Sequence, residues 1–263
     1  MRSFFLFLIL SVPLLAKPTL WIIGDSTVRN NTAGQQGWGD PLAKEFDPAK
    51  ITVINRAIGG RSSRTFLTEG RWDAILAELK KGDFVLMQFG HNDGGEMFTG
   101  TRPRASIKGT GDESKDGTVE STGKAETVHS FGWYLRKYCQ DTLDKGATPI
   151  VASLIPRNIR GDDGLIAPDT KTYAAWAGDS AQKTGAHFVP FNRILAEKFN
   201  ALPKEEVDAI FCGTDHTHTS PKGAIFNARV MAAELRKLPD CPLADHLLAN
   251  SEGLPAAPLR TDR

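Results

Sequence analysis

The sequence predicts an alternating α/β protein built on one doubly wound parallel sheet. Three observations carry this. Short apolar runs alternate with stretches of helical period along most of the chain. Several runs are continuously apolar rather than alternating, which suits strands covered on both faces. Some end abruptly in Gly-rich polar stretches, and in open α/β sheets reacting groups collect at the carboxyl ends of strands.

Leu20 to Ile23 is the first strand, led in by Lys17-Pro18-Thr19 and broken by Gly24-Asp25. Asn30 to Gly39 is a polar, glycine-rich loop, and Pro41 to Phe46 a short helix. Ile51 to Asn55 is the second strand, ending at Arg56-Ala57-Ile58-Gly59-Gly60. Trp72, Ile75, Leu76 and Leu79 recur at helical spacing, and Lys80-Lys81-Gly82 closes that helix with positive charge and glycine. Phe84 to Phe89 is the third strand and runs into Gly90-His91-Asn92-Asp93. Glu96 to Thr127 is polar and reads as one long loop, a length associated with function or mobility. Val128 to Leu143 is a helix stopped at Gly146, and Pro149 to Leu154 the fourth strand. Asp169 to Thr184 is a helix ended by Gly185, His187 to Pro190 the fifth strand, and Ile194 to Phe199 helical. A loop from Phe211 to Pro221 precedes a last helix, for which Pro221 is a suitable first residue.

The 263 residues suffice for one large domain or two small ones. Met1 to Ala16 has Arg2, an apolar stretch from Phe4 to Leu15 and then Leu-Leu-Ala, the layout of a secretory leader. The competing reading is a buried first helix. The expected organisation is a leader over residues 1–16, one domain over 17–250 and a Pro- and Ala-rich tail over 251–263, in a secreted or periplasmic protein. Losing Arg2 with the leader takes Lys plus Arg from 32 to 31, against 31 Asp plus Glu. A balance near zero argues against a nucleic-acid or membrane-surface binder. Of three cysteines, Cys139 sits in a helical pattern, so an oxidising compartment would pair Cys212 with Cys241. The sequon Asn30-Asn31-Thr32 lies close to Ser26, where a glycan would crowd a site.

Four polar stretches stand at strand ends or in the last loop: Gly24-Asp25-Ser26, Gly59-Gly60-Arg61, Gly90 to Asp93, and Asp215 to His218. Acyl transfer needs a nucleophile, a base, a group that holds the base and donors for the developing oxyanion. Ser26 suits the nucleophile, His218 the base, and Asp215, three residues earlier, the group that orients the imidazole. The backbone N–H groups of Ser26 and Gly60 and the Asn92 amide suit the oxyanion, with Gly59 an alternative to Gly60. Taken alone, Ser26-Thr27 reads equally well as a helix cap.

These motifs resemble the SGNH (GDSL-type) hydrolases, whose namesake residues match Ser26, Gly60, Asn92 and His218. The runs GDST, INRAIGGRSSRTF, GHNDGG and TDHTHTSPKGA are similar to the rhamnogalacturonan acetylesterase branch, over about Thr19 to Leu238. The resemblance implies a three-layer α/β/α, flavodoxin-like fold with a five-stranded parallel sheet. It also implies metal-free, cofactor-free serine hydrolysis of acetyl esters on pectic rhamnogalacturonan, and it selects Gly60, since the family's glycine directly precedes an arginine. The expected partner is an acetylated pectic polysaccharide or oligosaccharide, with neither nucleic acid nor membrane, and the expected state is a monomer.

Other readings compete at single residues. His216 and His218 with Asp215 form a His-x-His pattern known from zinc sites, but no third ligand is placed by the sequence. His216 as base would sit directly after Asp215, a poor geometry for that pair. His91 and Asp93 are read as holding the Asn92 turn, and Asp25 as bonding backbone around Ser26. Arg61 and Arg64, and in the long loop Arg102, Arg104 and Lys108, are either solvated surface or partners for galacturonate carboxylates. Trp38, Trp133 and Trp176 are candidates to stack on sugar rings, with core packing favoured for the latter two. The rival activities are an esterase for another acyl ester (xylan acetyl, sialic acid acetyl or lipid) and a carbohydrate-binding protein without catalysis.

Overall fold

The computed structural model describes residues 17–249; the leader expected over 1–16 and the tail expected over 251–263 lie outside the described residues. In chain order the elements are β1 (Thr19–Gly24), α1 (Gly39–Leu42), β2 (Thr52–Asn55), α2 (Ser63–Thr68), α3 (Arg71–Glu78), β3 (Phe84–Gln88), β4 (Ser114–Val119), β5 (Lys124–His129), α4 (Phe131–Asp144), β6 (Thr148–Ala152), α5 (Tyr173–Thr184), β7 (His187–Val189), α6 (Phe191–Asn200), α7 (Lys204–Ile210), β8 (Phe211–Cys212), β9 (Asp215–Thr219) and α8 (Pro221–Leu235).

Five strands form the central sheet in the order β2-β1-β3-β6-β7, every neighbouring pair parallel. Successive side chains of a strand point to opposite faces, and here both faces are dry. Leu20, Ile22, Phe84, Leu86 and Ile150 enter one apolar cluster with residues of α1, α6, α7 and α8. Trp21, Ile23, Val85, Met87 and Val151 enter a second with α2, α3, α4 and α5. That two-sided burial is why the strands read as continuous apolar runs, and it yields the three-layer α/β/α arrangement.

The structure departs from the sequence reading in several places. The long segment after β3 is not one loop, because β4 and β5 pair as an antiparallel hairpin from Ser114↔His129 to Val119↔Lys124. Val128 and His129 belong to that hairpin, so α4 begins at Phe131, with the Ser130 hydroxyl accepting from the Trp133 N–H at 3.0 Å. The loop after α7 is likewise a hairpin of β8 and β9. Two helices, α2 and α7, were not anticipated, and α5 starts at Tyr173 because Asp169 ahead of it accepts from the N–H groups of Lys171, Thr172 and Ala174. All three cysteines are free, in place of the expected Cys212–Cys241 pair. Cys241 is buried in the apolar cluster, whereas the Cys212 thiol faces the Gly34 carbonyl.

Candidate active site

The turn after β1 sets Ser26. The Asp25 carbonyl accepts from Val28 at 3.1 Å and Arg29 at 3.0 Å, closing one turn, while Asp25 Oδ1 accepts from both the N–H and the hydroxyl of Thr27 at 2.8 Å. The reading of Asp25 as a backbone-bonding residue matches this geometry. Behind the turn, Trp38 Nε1 donates to Gln88 Oε1 at 2.9 Å and Gln88 Nε2 to the Thr27 hydroxyl at 2.5 Å. Trp38 is fully buried in this network, which removes it from the candidate sugar-stacking residues. Gly24 is required by close approach, since a Cβ there would lie 2.5 Å from the Gln88 carbonyl oxygen.

The β8–β9 hairpin brings in the imidazole. Ser26 Oγ lies 2.8 Å from His218 Nε2, and His218 Nδ1 lies 2.7 Å from Asp215 Oδ2. Asp215 Oδ1 accepts from the N–H groups of Thr217 at 2.9 Å and His218 at 3.0 Å, so the three-residue spacing works through a side-chain-capped turn. Burial alone would raise the Asp215 pKa. The His218 ring and those two N–H groups outweigh it and bring the carboxyl down to about 2. Gln35 adds a fourth donor to Asp215 at 3.2 Å, a contact the sequence did not signal. The hairpin is pinned on one side by Gln36, whose N–H donates to the Thr219 carbonyl at 2.9 Å. On the other side the Asn158 N–H donates to the His216 carbonyl at 2.8 Å. His216 is exposed and does not line the cleft.

Ser26, Gly59, Gly60, Asn92 and His218 line one cleft of about 730 Å³. Ile58 to Arg61 form a turn closed by the Arg61 N–H on the Ile58 carbonyl at 3.3 Å, with Gly60 third at φ 81°, a conformation that favours glycine. Among the described residues the backbone N–H groups of Ser26 and Gly60 have no acceptor. Asn92 is buried and holds itself by donating to the Arg61 carbonyl at 3.0 Å. Asp93 ties this turn to α2 and to residue 106, accepting from the Ser63 hydroxyl at 2.5 Å, the Ser63 N–H at 3.1 Å and the Ser106 hydroxyl at 3.2 Å. Burial outweighs those donors and pushes the Asp93 carboxyl up to about 7. Neither ring nitrogen of His91 bonds the Asn92 turn; burial pushes the ring's pKa down to about 4, against the Asp25 charge and the Ile155 backbone.

The two arginines expected to meet substrate are engaged elsewhere. Arg64 is buried, paired with Glu126 on β5 at 2.6 Å and donating to the carbonyls of Met97 at 2.7 Å and Ala105 at 2.9 Å. Arg61 is paired with Glu69 at 2.9 Å and bonded to the Gly59 carbonyl, outside the cleft lining. The guanidinium groups that do line the cleft are Arg29, Arg102 and Arg104. Asn30 also lines it, its amide donating to Gln35 at 2.7 Å, so a glycan on Asn30 would crowd the cleft. Among the described residues no cluster of His, Cys, Asp or Glu is grouped to hold a metal ion. No helix among them is long and apolar enough to cross a membrane.

A parallel α/β sheet that carries a hydroxyl, an imidazole and a carboxylate in series at its carboxyl edge, beside unpaired backbone N–H groups, has the layout of an ester hydrolase. Residues 22–224 match the GDSL-like Lipase/Acylhydrolase family, and the chain belongs to that family of carboxylic ester hydrolases. It is 35% identical over 224 residues to a rhamnogalacturonan acetylesterase of Emericella nidulans, covering 85% of this chain and 87% of that one. It is 29% identical to a probable rhamnogalacturonan acetylesterase, YesY, of Bacillus subtilis, covering 87% of this chain and 97% of that one. The crystal structure of the YxiM protein of Bacillus subtilis superposes with a TM-score of 0.67 at 25% identity, covering 84% of this chain and 57% of that one.

Proposed function

We propose that this chain is a secreted O-acetylesterase that removes acetyl groups from pectic rhamnogalacturonan through an acetyl-enzyme. The observation that carries the reading is the series from Ser26 Oγ through His218 to Asp215, with links of 2.8 and 2.7 Å. Support for the substrate comes from two relatives whose names state that activity. Support for secretion comes from the composition of residues 1–16.

In this mechanism Ser26 Oγ attacks the acetyl carbonyl while His218 Nε2 takes its proton. Asp215, charged across the working pH range, holds the imidazole by Nδ1 and stabilises its positive form. The Ser26 and Gly60 N–H groups and the Asn92 amide receive the oxyanion. The bond to the sugar breaks as His218 gives the proton to the departing sugar oxygen, leaving an acetyl ester on Ser26. A water deprotonated by His218 repeats the attack and frees acetate.

The test is acetate release from acetylated rhamnogalacturonan, xylan and an aryl acetate, by the wild type and by Ser26→Ala. The variant is expected to lose about 10⁴–10⁶-fold in turnover. Release from xylan without release from pectin moves the substrate and leaves the mechanism. A wild type that binds acetylated sugar but frees no acetate is a binding protein, and the reading fails.

A further inference from the structure

Arg102 and Arg104 stand over the glycine proposed for the oxyanion, and neither has an ion-pair partner among the described residues. Their neighbours differ: Arg61 and Arg71 share Glu69 within 2.9 Å, and Arg64 has Glu126 at 2.6 Å. No Asp or Glu lines the cleft that holds Ser26. Arg104 Nη1 donates to the Gly60 carbonyl at 3.1 Å, and the Arg102 guanidinium lies against the Gly60 α-carbon, where any Cβ would strike it. The two positive groups are close enough that Arg102, after burial, contributes to lowering the Arg104 pKa. Asp25 and Asp93 offset part of this repulsion from a distance, but no carboxylate pairs with either guanidinium, so a bound anion is favoured there.

The segment that carries them is held at both ends. Arg64 fastens the carbonyls of Met97 and Ala105, the Ala105 N–H donates to Glu96 at 3.2 Å, and the Ser106 N–H donates to Asp93 at 3.0 Å. In the middle, Glu120 of the β4–β5 turn accepts from the Gly100 N–H at 3.0 Å and donates its own N–H to Phe98 at 2.8 Å. Pro103 stiffens the backbone between the two arginines. The backbone that bears both arginines is therefore positioned before any ligand arrives, with Arg104 also held on the Gly60 carbonyl, which lowers the ordering cost of binding.

We propose that Arg102 and Arg104 form an anion subsite that seats the carboxylate of a uronic acid unit of the substrate beside the acetylated position. This rests on reading the cleft as the acetylesterase site. The planar carboxylate suits the guanidinium fork, and the subsite selects acidic over neutral glycans bearing the same acetyl group.

The test measures binding rather than turnover, by titration calorimetry. One probe is a rhamnogalacturonan oligosaccharide without acetyl groups; the other is the same oligosaccharide with its carboxyl groups reduced to alcohols. The wild type is expected to bind the acidic probe about ten- to a hundredfold more tightly. That ratio should fall towards one in Arg102→Ala, whose side chain makes no hydrogen bond to lose, and in the Arg102→Ala/Arg104→Ala double variant, and it should shrink in high salt. Equal binding of the two probes, binding of neither, or a preference that survives the double variant overturns the subsite. Acetate release from acetylated rhamnogalacturonan is scored separately, so the subsite and the esterase reading fail independently.

Discussion

Replacing Arg64 with Met separates an anchoring role from a substrate-contacting one. Methionine keeps most of the buried stem, so the loss reports charge and hydrogen bonds rather than a cavity. The wild-type Arg64 side chain is 1% exposed and its guanidinium faces Glu126, whose side chain is 20% exposed, at 2.6 Å. It also satisfies the Met97 and Ala105 carbonyls. Arg64→Met leaves a largely buried carboxylate and two carbonyl oxygens without that donor. Breaking a buried pair by removing one partner costs about 3–5 kcal/mol. Orphaned carbonyls add to this only where water cannot reach them, so about 3–5 kcal/mol is the expected total. A domain of this size loses ~2–4 °C of melting temperature per kcal/mol, which gives a fall of about 6–20 °C in scanning calorimetry. Because Arg64 fastens both ends of the segment bearing Arg102 and Arg104, the preference for acidic oligosaccharide should fall in the same variant. An unchanged melting temperature with a raised Michaelis constant for pectin would refute the anchoring argument and return Arg64 to the substrate.

Asn92→Ala is expected to lower turnover on an aryl acetate by about 10²–10³, equivalent to ~3–4 kcal/mol, with a much smaller change in the Michaelis constant; a loss below threefold would remove the amide from the oxyanion site. Asp93 gives a pH prediction. Its pKa is about 7 in the fold against 3.8 unfolded, so its burden on the fold is absent below about pH 4 and grows as pH rises through 7. Wild-type melting temperature should carry a component that falls from pH 5 to 8. Asp93→Asn should flatten that slope, and equal slopes in the two proteins would show that Asp93 does not titrate there.

The site was partly legible because its chemistry is written in short local motifs. GDS, GGR, GHND and DHTH each follow a strand or close a hairpin, and each fixes its own backbone through contacts a few residues long. Asp25 bonds Thr27, Asp215 bonds Thr217 and His218, and Arg61 closes on Ile58. The five sheet strands were legible for a related reason, since two-sided burial leaves continuous apolar runs. The β4–β5 hairpin was hidden because its strands, SKDGTV and KAETVH, are mostly exposed and polar and show no apolar face. The α2 helix was hidden by its length of six residues.

The sequence by itself determined the five strands of the central sheet, the longer helices between them, the hydrolase motifs and the residue types available for chemistry, because propensity, periodicity and turn formation act over neighbours in the chain. Tertiary structure alone decided which charges meet. Arg61 and Arg64 follow the glycine in sequence yet find Glu69 and Glu126, while Arg102 and Arg104, some forty residues on, turn towards the serine cleft. A guanidinium reaches whatever carboxylate or carbonyl the fold brings within about 3 Å. That choice depends on how the hairpin and the 97–105 segment pack across α2, which no local pattern encodes.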